Sequence, residues 1–386
     1  MRFPRPPIRR ALAPLAAAVA VIAVLAGCSS GASNAAPALG PTAEQACPGS
    51  EIPFADVTFT EDPRAVEGPA TACLADADLP IVESDETPAL PTTVTDAAGE
   101  QVTVADASRI LALDISGTLA ATVFGLGLGD RVVGRDGSTG FAEASDLPVV
   151  TQDGHSLSAE AILALDPSVV LTDTTLGPRD ALEQLRDAGI PVVVTTSERR
   201  VDNVDQVIAE VAEALGVPER GRLLAERVGD DLDAVLARIA ASVPADPADR
   251  PRAIFLYVRG SANVYYLFGE ESGADSLIEA IGAFDVAGEI GWEGMRPVTA
   301  EAIAAAHPDL VLLMTGGLES VGGIDGLLEQ VPALASTPAG EHRRFVDMAD
   351  TEILGFGPRT PAVVEALARA IHAPGAGSSA AEATDG

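Results

Sequence analysis

Two stretches of this 386-residue chain repeat each other: "SAEAILALDPSVVLTD", Ser158 to Asp173, and "TAEAIAAAHPDLVLLM", Thr299 to Met314, align without a gap at an offset of 141 residues. Each opens with a hydroxyl residue suited to cap a helix, continues through a short alanine-rich helix, and ends in an apolar run short enough to be a buried strand. A unit that recurs once in each half restricts the chain to architectures with two related lobes, and the length independently favours more than one core.

The pattern around each copy fixes the class. In the first half "TVTDAAGEQVTV" alternates about an Ala-Gly turn and reads as a hairpin. "RILALD", "DRVVGRD", "PSVVLTD" and "IPVVVTT" read as strands, separated by the helical "ISGTLAATVFGLG", "SAEAILALD" and "RDALEQLRDAG". Helix and strand alternating in this way build a mostly parallel sheet covered by helices. Between the halves, Val204, Val207, Val211 and Leu215, then Leu224, Val228, Leu232, Val235, Leu236 and Ile239, keep helical spacing, and "GVPERG" divides them into two helices. The second spans about 20 residues, or about 30 Å. The expected architecture is α/β: two similar lobes, each with a central mostly parallel sheet, joined by a long helix, with the ligand cleft between them.

The N-terminal segment "MRFPRPPIRR" followed by "ALAPLAAAVAVIAVLAG" has the charged, apolar and small-residue order of a secretory signal, and it runs directly into polar "SSGASN". "LAGC" at Leu25 to Cys28 is similar to the bacterial lipoprotein cleavage box, which makes Cys28 the expected lipidation site; an uncleaved signal anchor is the alternative. Removing residues 1–27 would take away four of the 24 basic residues, all arginine, and shift the net charge from −33 to −37. Such a surface repels nucleic acid and anionic lipid. Outside the cytosol the remaining pair, Cys47 and Cys73, reads as a disulfide. The expected boundaries are a signal over 1–27, a lipidated flexible tether over 28–46, a disulfide-closed extension over 47–92, lobe one over 93–201, connecting helices over 202–250, lobe two over 251–372 and a loose tail over 373–386.

The cleavage box, the tether, the two related lobes and the long connector together resemble the substrate-binding lipoprotein of an ABC importer for chelated iron, haem or corrinoids, over residues 93–372. "GLGDRVVGRD" and the paired "AEAI" units carry the scaffold. "FLYVRGSANVYYLFGEESGADSLIEAIGA" and "GFGPRTP" resemble the haem-binding members, particularly those of actinobacteria. In that group a histidine from one lobe and a tyrosine from the other clasp haem iron, and the matching positions are His155 in "QDGHSLSAEAI" and Tyr257 in "FLYVRGS". The resemblance therefore implies ferric haem b as transported ligand, a two-fold permease with its ATPase as partners, attachment to the outer face of the cell membrane through lipid alone, a monomer, and no catalysis. Near where the family carries its docking glutamates stand Glu143 and Glu279.

Residue chemistry adds to this. In a strand, residues two apart share a face, so Tyr257 and Arg259 lie together, and a guanidinium favours the phenolate that ferric iron binds. A hydroxyl bond at the hinge and a surface ion pair are the plainer roles for the two. As a ligand His155 would be a neutral imidazole with its second nitrogen hydrogen-bonded, with Asp153 as one candidate acceptor; otherwise it is a solvated loop histidine. The 141-residue offset carries His155 onto Arg296, a cation suited to a propionate. Arg359 in "GFGPRTP" either holds another or pairs with an acid. Tyr266, Tyr265, Trp292, Met295 and Met314 are candidates for the apolar faces of a porphyrin or, equally, for core packing.

Other functions fit less well. The only Gly-x-Ser-x-Gly match, Gly27 to Gly31, falls at the expected cleavage box and not between a strand and a helix, and without lysine the chain cannot form a P-loop. A zinc or manganese carrier needs several histidines and carboxylates where one histidine is suitably placed. A ferric-siderophore binder on the same scaffold and a structural surface lipoprotein remain as alternatives.

Overall fold

A computed structural model describes residues 52–75, 78–152 and 154–374. The signal, the tether, Cys28, Cys47 and the tail beyond 374 lie outside the described residues. Cys73 is held in a disulfide.

The repeat is a structural one. Ser158 Oγ accepts from the Ala161 amide at 3.2 Å to cap the helix Ala159–Ala164, and Thr299 Oγ1 accepts from Ala302 at 3.1 Å to cap Ala300–Ala306. Asp166 and His307, which the alignment pairs, both leave those helices in left-handed backbone at φ 46°. The strands Val169–Thr172 and Leu310–Met314 follow.

In lobe one, Val169–Thr172 lies between Ile110–Leu113 and Val192–Val194, all parallel. "DRVVGRD", expected as a strand, instead forms a 3-10 turn over Gly129–Arg131 and two isolated parallel bridges, Val132 to Ile110 and Arg135 to Val149. It changes partner after three residues, so no ladder grows long enough to be a strand. The hairpin Thr92–Thr95 with Gln101–Val104 forms as its turn chemistry implied.

Lobe two is built on a seven-stranded mixed sheet. Its order is Ala70–Ala72, Phe345–Met348, Leu310–Met314, Arg252–Arg259, Val264–Phe268 and Met295–Pro297, with Phe284–Asp285 beside the start of the fourth. The first four run parallel, and Val264–Phe268 turns back antiparallel.

The connector consists of Val204–Ala214 and a 23-residue helix, Pro218–Ala240. One apolar core runs from Leu119 and Val123 of lobe one through Val207, Ile208 and Leu224 of the connector to Phe255 and Phe268 of lobe two. Each such side chain stabilises the fold by about 1.5–3 kcal/mol.

Residues 52–75 and 78–90 do not stand apart. They supply the edge strand Ala70–Ala72 to lobe two and then cross the connector to lobe one. On the way the Arg227 guanidinium donates to Ile81 O, and Arg220 donates to Ser84 O and Glu86 O and also to Leu126 O of lobe one. Val82 N donates to Gly125 O at 2.9 Å. The lobes are thus joined by a strap as well as by the connector.

Candidate functional site

Tyr257 stands near the carboxyl end of the strand Arg252–Arg259, directly opposite Tyr266 in the antiparallel register. The same register pairs Phe255 with Phe268 and Arg259 with Val264, so Phe255, Tyr257, Arg259, Tyr266 and Phe268 share one face. The Tyr257 ring stacks on Phe268 with centroids 6.1 Å apart. Continuing the parallel pairing Leu312 to Phe255 by two residues brings Met314 level with Tyr257, and both pack at the margin of the same core.

His155 sits at the tip of a small hairpin in lobe one, Thr151–Gln152 with Ser156–Leu157, beside Gly154 at φ 82°. Its backbone amide donates to Gln152 O at 3.2 Å, and its Nδ1 is buried with no hydrogen-bond partner among the described residues. Asp153, the candidate acceptor, is not among them.

Electrostatics join these residues across the cleft. Burial lowers the His155 pKa and the Arg259 charge lowers it further, against a bond to the Gly154 carbonyl that raises it; the imidazole is therefore neutral near neutral pH, the form that binds a metal. The Tyr257 phenol is pushed up, first by burial and then by the Asp350 and Tyr266 side chains, while Arg259 pulls it down through both its charge and a hydrogen bond. Arg259 acts in the expected direction, but in the free protein burial outweighs it. Asp350 was not singled out in the sequence; it is fixed by the Gly316 amide, which donates to its Oδ1 at 2.7 Å, and it faces Arg259.

Other candidates lie elsewhere. Pairing of Tyr266 with Pro297 and of Phe268 with Met295 puts Met295, 59% exposed, on the Tyr257 face and leaves Arg296, opposite Leu267, on the far one. There the Arg296 guanidinium covers the Trp292 ring at 4.7 Å, and the indole nitrogen donates to Leu267 O at 2.9 Å. Alternation along the strand therefore separates Arg296 and Trp292 from Tyr257. Tyr265 packs on that far side. Arg359 takes its acid-pairing alternative: it is nearly buried, 3.6 Å from Glu352, and lies over the Phe141 ring. Glu143 and Glu279 are exposed, the first in a 3-10 turn and the second on the helix Ala274–Ala280.

Lobe one adds a feature that no motif announced. Asp114, Asp136 and Asp173 are all buried behind its rim, served among the described residues by one cation, Arg199, at 2.7 Å from Asp173 and 3.8 Å from Asp114. The next residue, Arg200, reaches Asp275 of lobe two at 2.7 Å. The only sequence sign was aspartate ending "ALD", "GRD" and "LTD" alike, at the carboxyl ends of strand-like segments.

The haem-binding protein HmuT has a solved structure that superposes with a TM-score of 0.76 at 38% identity, covering 81% of this chain and 99% of that one. Variants of it with an arginine, a tyrosine or a histidine replaced by alanine match at 37–38% identity. The uncharacterised ABC transporter substrate-binding lipoprotein YvrC of Bacillus subtilis is 26% identical over 292 residues, 74% of this chain and 87% of that protein. A cobalamin-binding protein of Halobacterium salinarum is 25% identical over 324 residues, 83% of this chain and 84% of that protein. A family model described as periplasmic binding protein matches residues 115–351. With the two-lobed fold and a cleft that gathers side chains from both lobes, this match identifies the chain as a member of the periplasmic binding protein family.

Proposed function

We propose that the protein captures ferric haem between its lobes, with Tyr257 and His155 as axial ligands, and delivers it to an ABC permease. The observation that carries the reading is Arg259, whose charge acts both on the phenol of Tyr257 in its own lobe and on the imidazole of His155 in the other. A neutral imidazole and a phenol beside a guanidinium are the donor pair that ferric haem takes. Iron itself supplies the remaining stabilisation of the phenolate, because a bound cation favours the ionised oxygen. Phe268, Tyr266, Met295 and Met314 provide the apolar wall that a porphyrin face needs.

The likeness to HmuT supports the reading. In its variants the replaced tyrosine and arginine are two residues apart, as Tyr257 and Arg259 are here. On this reading Cys28 carries the lipid that holds the protein outside the cell membrane, the chain acts as a monomer, and Glu143 and Glu279 meet the permease. The cobalamin-binding relative gives a second reading on the same scaffold, a corrinoid carrier, at lower identity.

Titration of the purified protein with hemin, followed at the Soret band, tests the proposal. Binding is expected to give a ferric His/Tyr spectrum, with Tyr257→Phe and His155→Ala each changing the band and weakening affinity by tenfold or more, the scale of about 1.4 kcal/mol per lost ligand. If both variants keep the parent's spectrum and affinity, the assignment of ligands is wrong. If cobalamin or a ferric siderophore binds and hemin does not, the cargo is wrong.

A further inference from the structure

The cleft needs cations, because a haem carries two propionates and the chain bears 57 acidic residues against 24 basic ones. Most of the arginines near the cleft already have partners. Arg199 is paired with Asp173, Arg359 with Glu352 and Arg200 with Asp275, and the charge of Arg259 acts on Tyr257 beside it. Arg296 lies over Trp292 on the far face.

Arg179 differs from all of these. It is exposed, and it makes no ion pair or hydrogen bond through its side chain among the described residues. Its position is set by the segment that carries His155. Ser156, the next residue after His155, forms a parallel bridge with Gly177, and the Leu157 amide donates to Gly177 O at 2.5 Å. Arg179 follows two residues later, so the chain path from His155 across the bridge to Arg179 is about 16 Å at most. Arg179 is also the first residue of the nine-residue helix Arg179–Asp187, with Pro178 at its N-cap. That end of a helix favours an anion. The one acid at the same turn is Asp180, which is exposed and unpaired there among the described residues.

The geometry points to Arg179 as the residue of lobe one that holds a propionate carboxylate of the haem whose iron His155 binds. The inference rests on the haem reading and adds to it the lobe-one contact that orients the porphyrin edge. A guanidinium suits the task because its planar fork meets a carboxylate with two hydrogen bonds.

The test compares hemin with hemin dimethyl ester, whose propionates are uncharged, in Soret titrations of the full chain. Arg179→Gln is expected to weaken hemin about tenfold, the scale of one charge-assisted contact, to leave ester affinity and the position of the Soret band unchanged, and to be largely rescued by Arg179→Lys. Parent affinity for hemin in Arg179→Gln, or an equal loss for hemin and ester, overturns the assignment while leaving the haem reading intact. Failure of the parent chain to bind either porphyrin overturns both.

Discussion

Asp136 is wholly buried, and it accepts hydrogen bonds from the Ser138 and Thr139 amides and the Thr139 hydroxyl at Oδ1, and from the Asp114 amide at Oδ2. Even so, burial and the charge of Asp114 push its pKa up from 3.8 to about 7. Asp173 is shifted the same way by burial and by Asp114, against Arg199. One guanidinium therefore does not balance three carboxylates, and the cluster keeps a proton at mildly acid pH. Between pH 3.8 and about 7 the fold holds that proton and the unfolded chain has released it, so unfolding gives up a proton and rising pH favours unfolding. Above about 7 both states have lost it and the dependence flattens. The thermal midpoint should fall as pH rises through this window, and Asp136→Asn should flatten the fall; an unchanged slope in that variant would place the proton elsewhere. At this scale the sequence made part of the site legible. The spacing of Tyr257 and Arg259 sufficed, because strand alternation is local. Arg296 falls on the far face because its side depends on the register of an edge strand three residues long, which no local pattern states, and Trp292 lies under its guanidinium. Asp350 was missed because its place beside Arg259 comes from what folding brings together.

Among the elements, the two helix caps carry a measurable share of stability. Ser158→Ala and Thr299→Ala each remove a side-chain acceptor at a first turn and should cost about 1 kcal/mol in denaturant unfolding. The sites are in different lobes, so their effects should add in the double variant. A sum well below the parts would mean that one lobe unfolds before the other. Capped helices and apolar strands were readable because cap, periodicity and strand lie within a dozen residues of each other. "DRVVGRD" was not, since its two bridges go to Ile110 and Val149, on different segments. The hairpin under His155 did leave a sign, the Asp-Gly pair inside "TQDGHSL", a common turn dipeptide.

For the molecule as a whole, the strap over residues 52–90 changes what the connector alone would allow. A single helix between lobes limits their motion, and the strap adds a second tie, fastened to lobe two as a strand and to lobe one through Val82 and Arg220. Arg220→Ala should loosen only the end that meets lobe one and the connector: amide exchange at Val82 and Ala89, which donate to Gly125 O and Gly216 O, should speed up, while Ala70–Ala72 stays protected. Uniform exchange across the strap in the variant would mean that it is held as one piece and not at two ends. The two-lobe plan could be read from the repeat. The strap could not, because its segment carries no periodicity and its strand is three residues long, recognisable only once Phe345–Met348 is there to pair with it.

The two proposed ligands stand on supports of different stiffness. Tyr257 belongs to a strand hydrogen-bonded to neighbours on both sides, in the largest sheet among the described residues, whereas His155 tops a hairpin of two paired residues per arm. On the proposed haem reading, a guest held by both would be located by the tyrosine side and covered by the histidine side, as a tool is set by the fixed jaw of a vice and secured by the moving one.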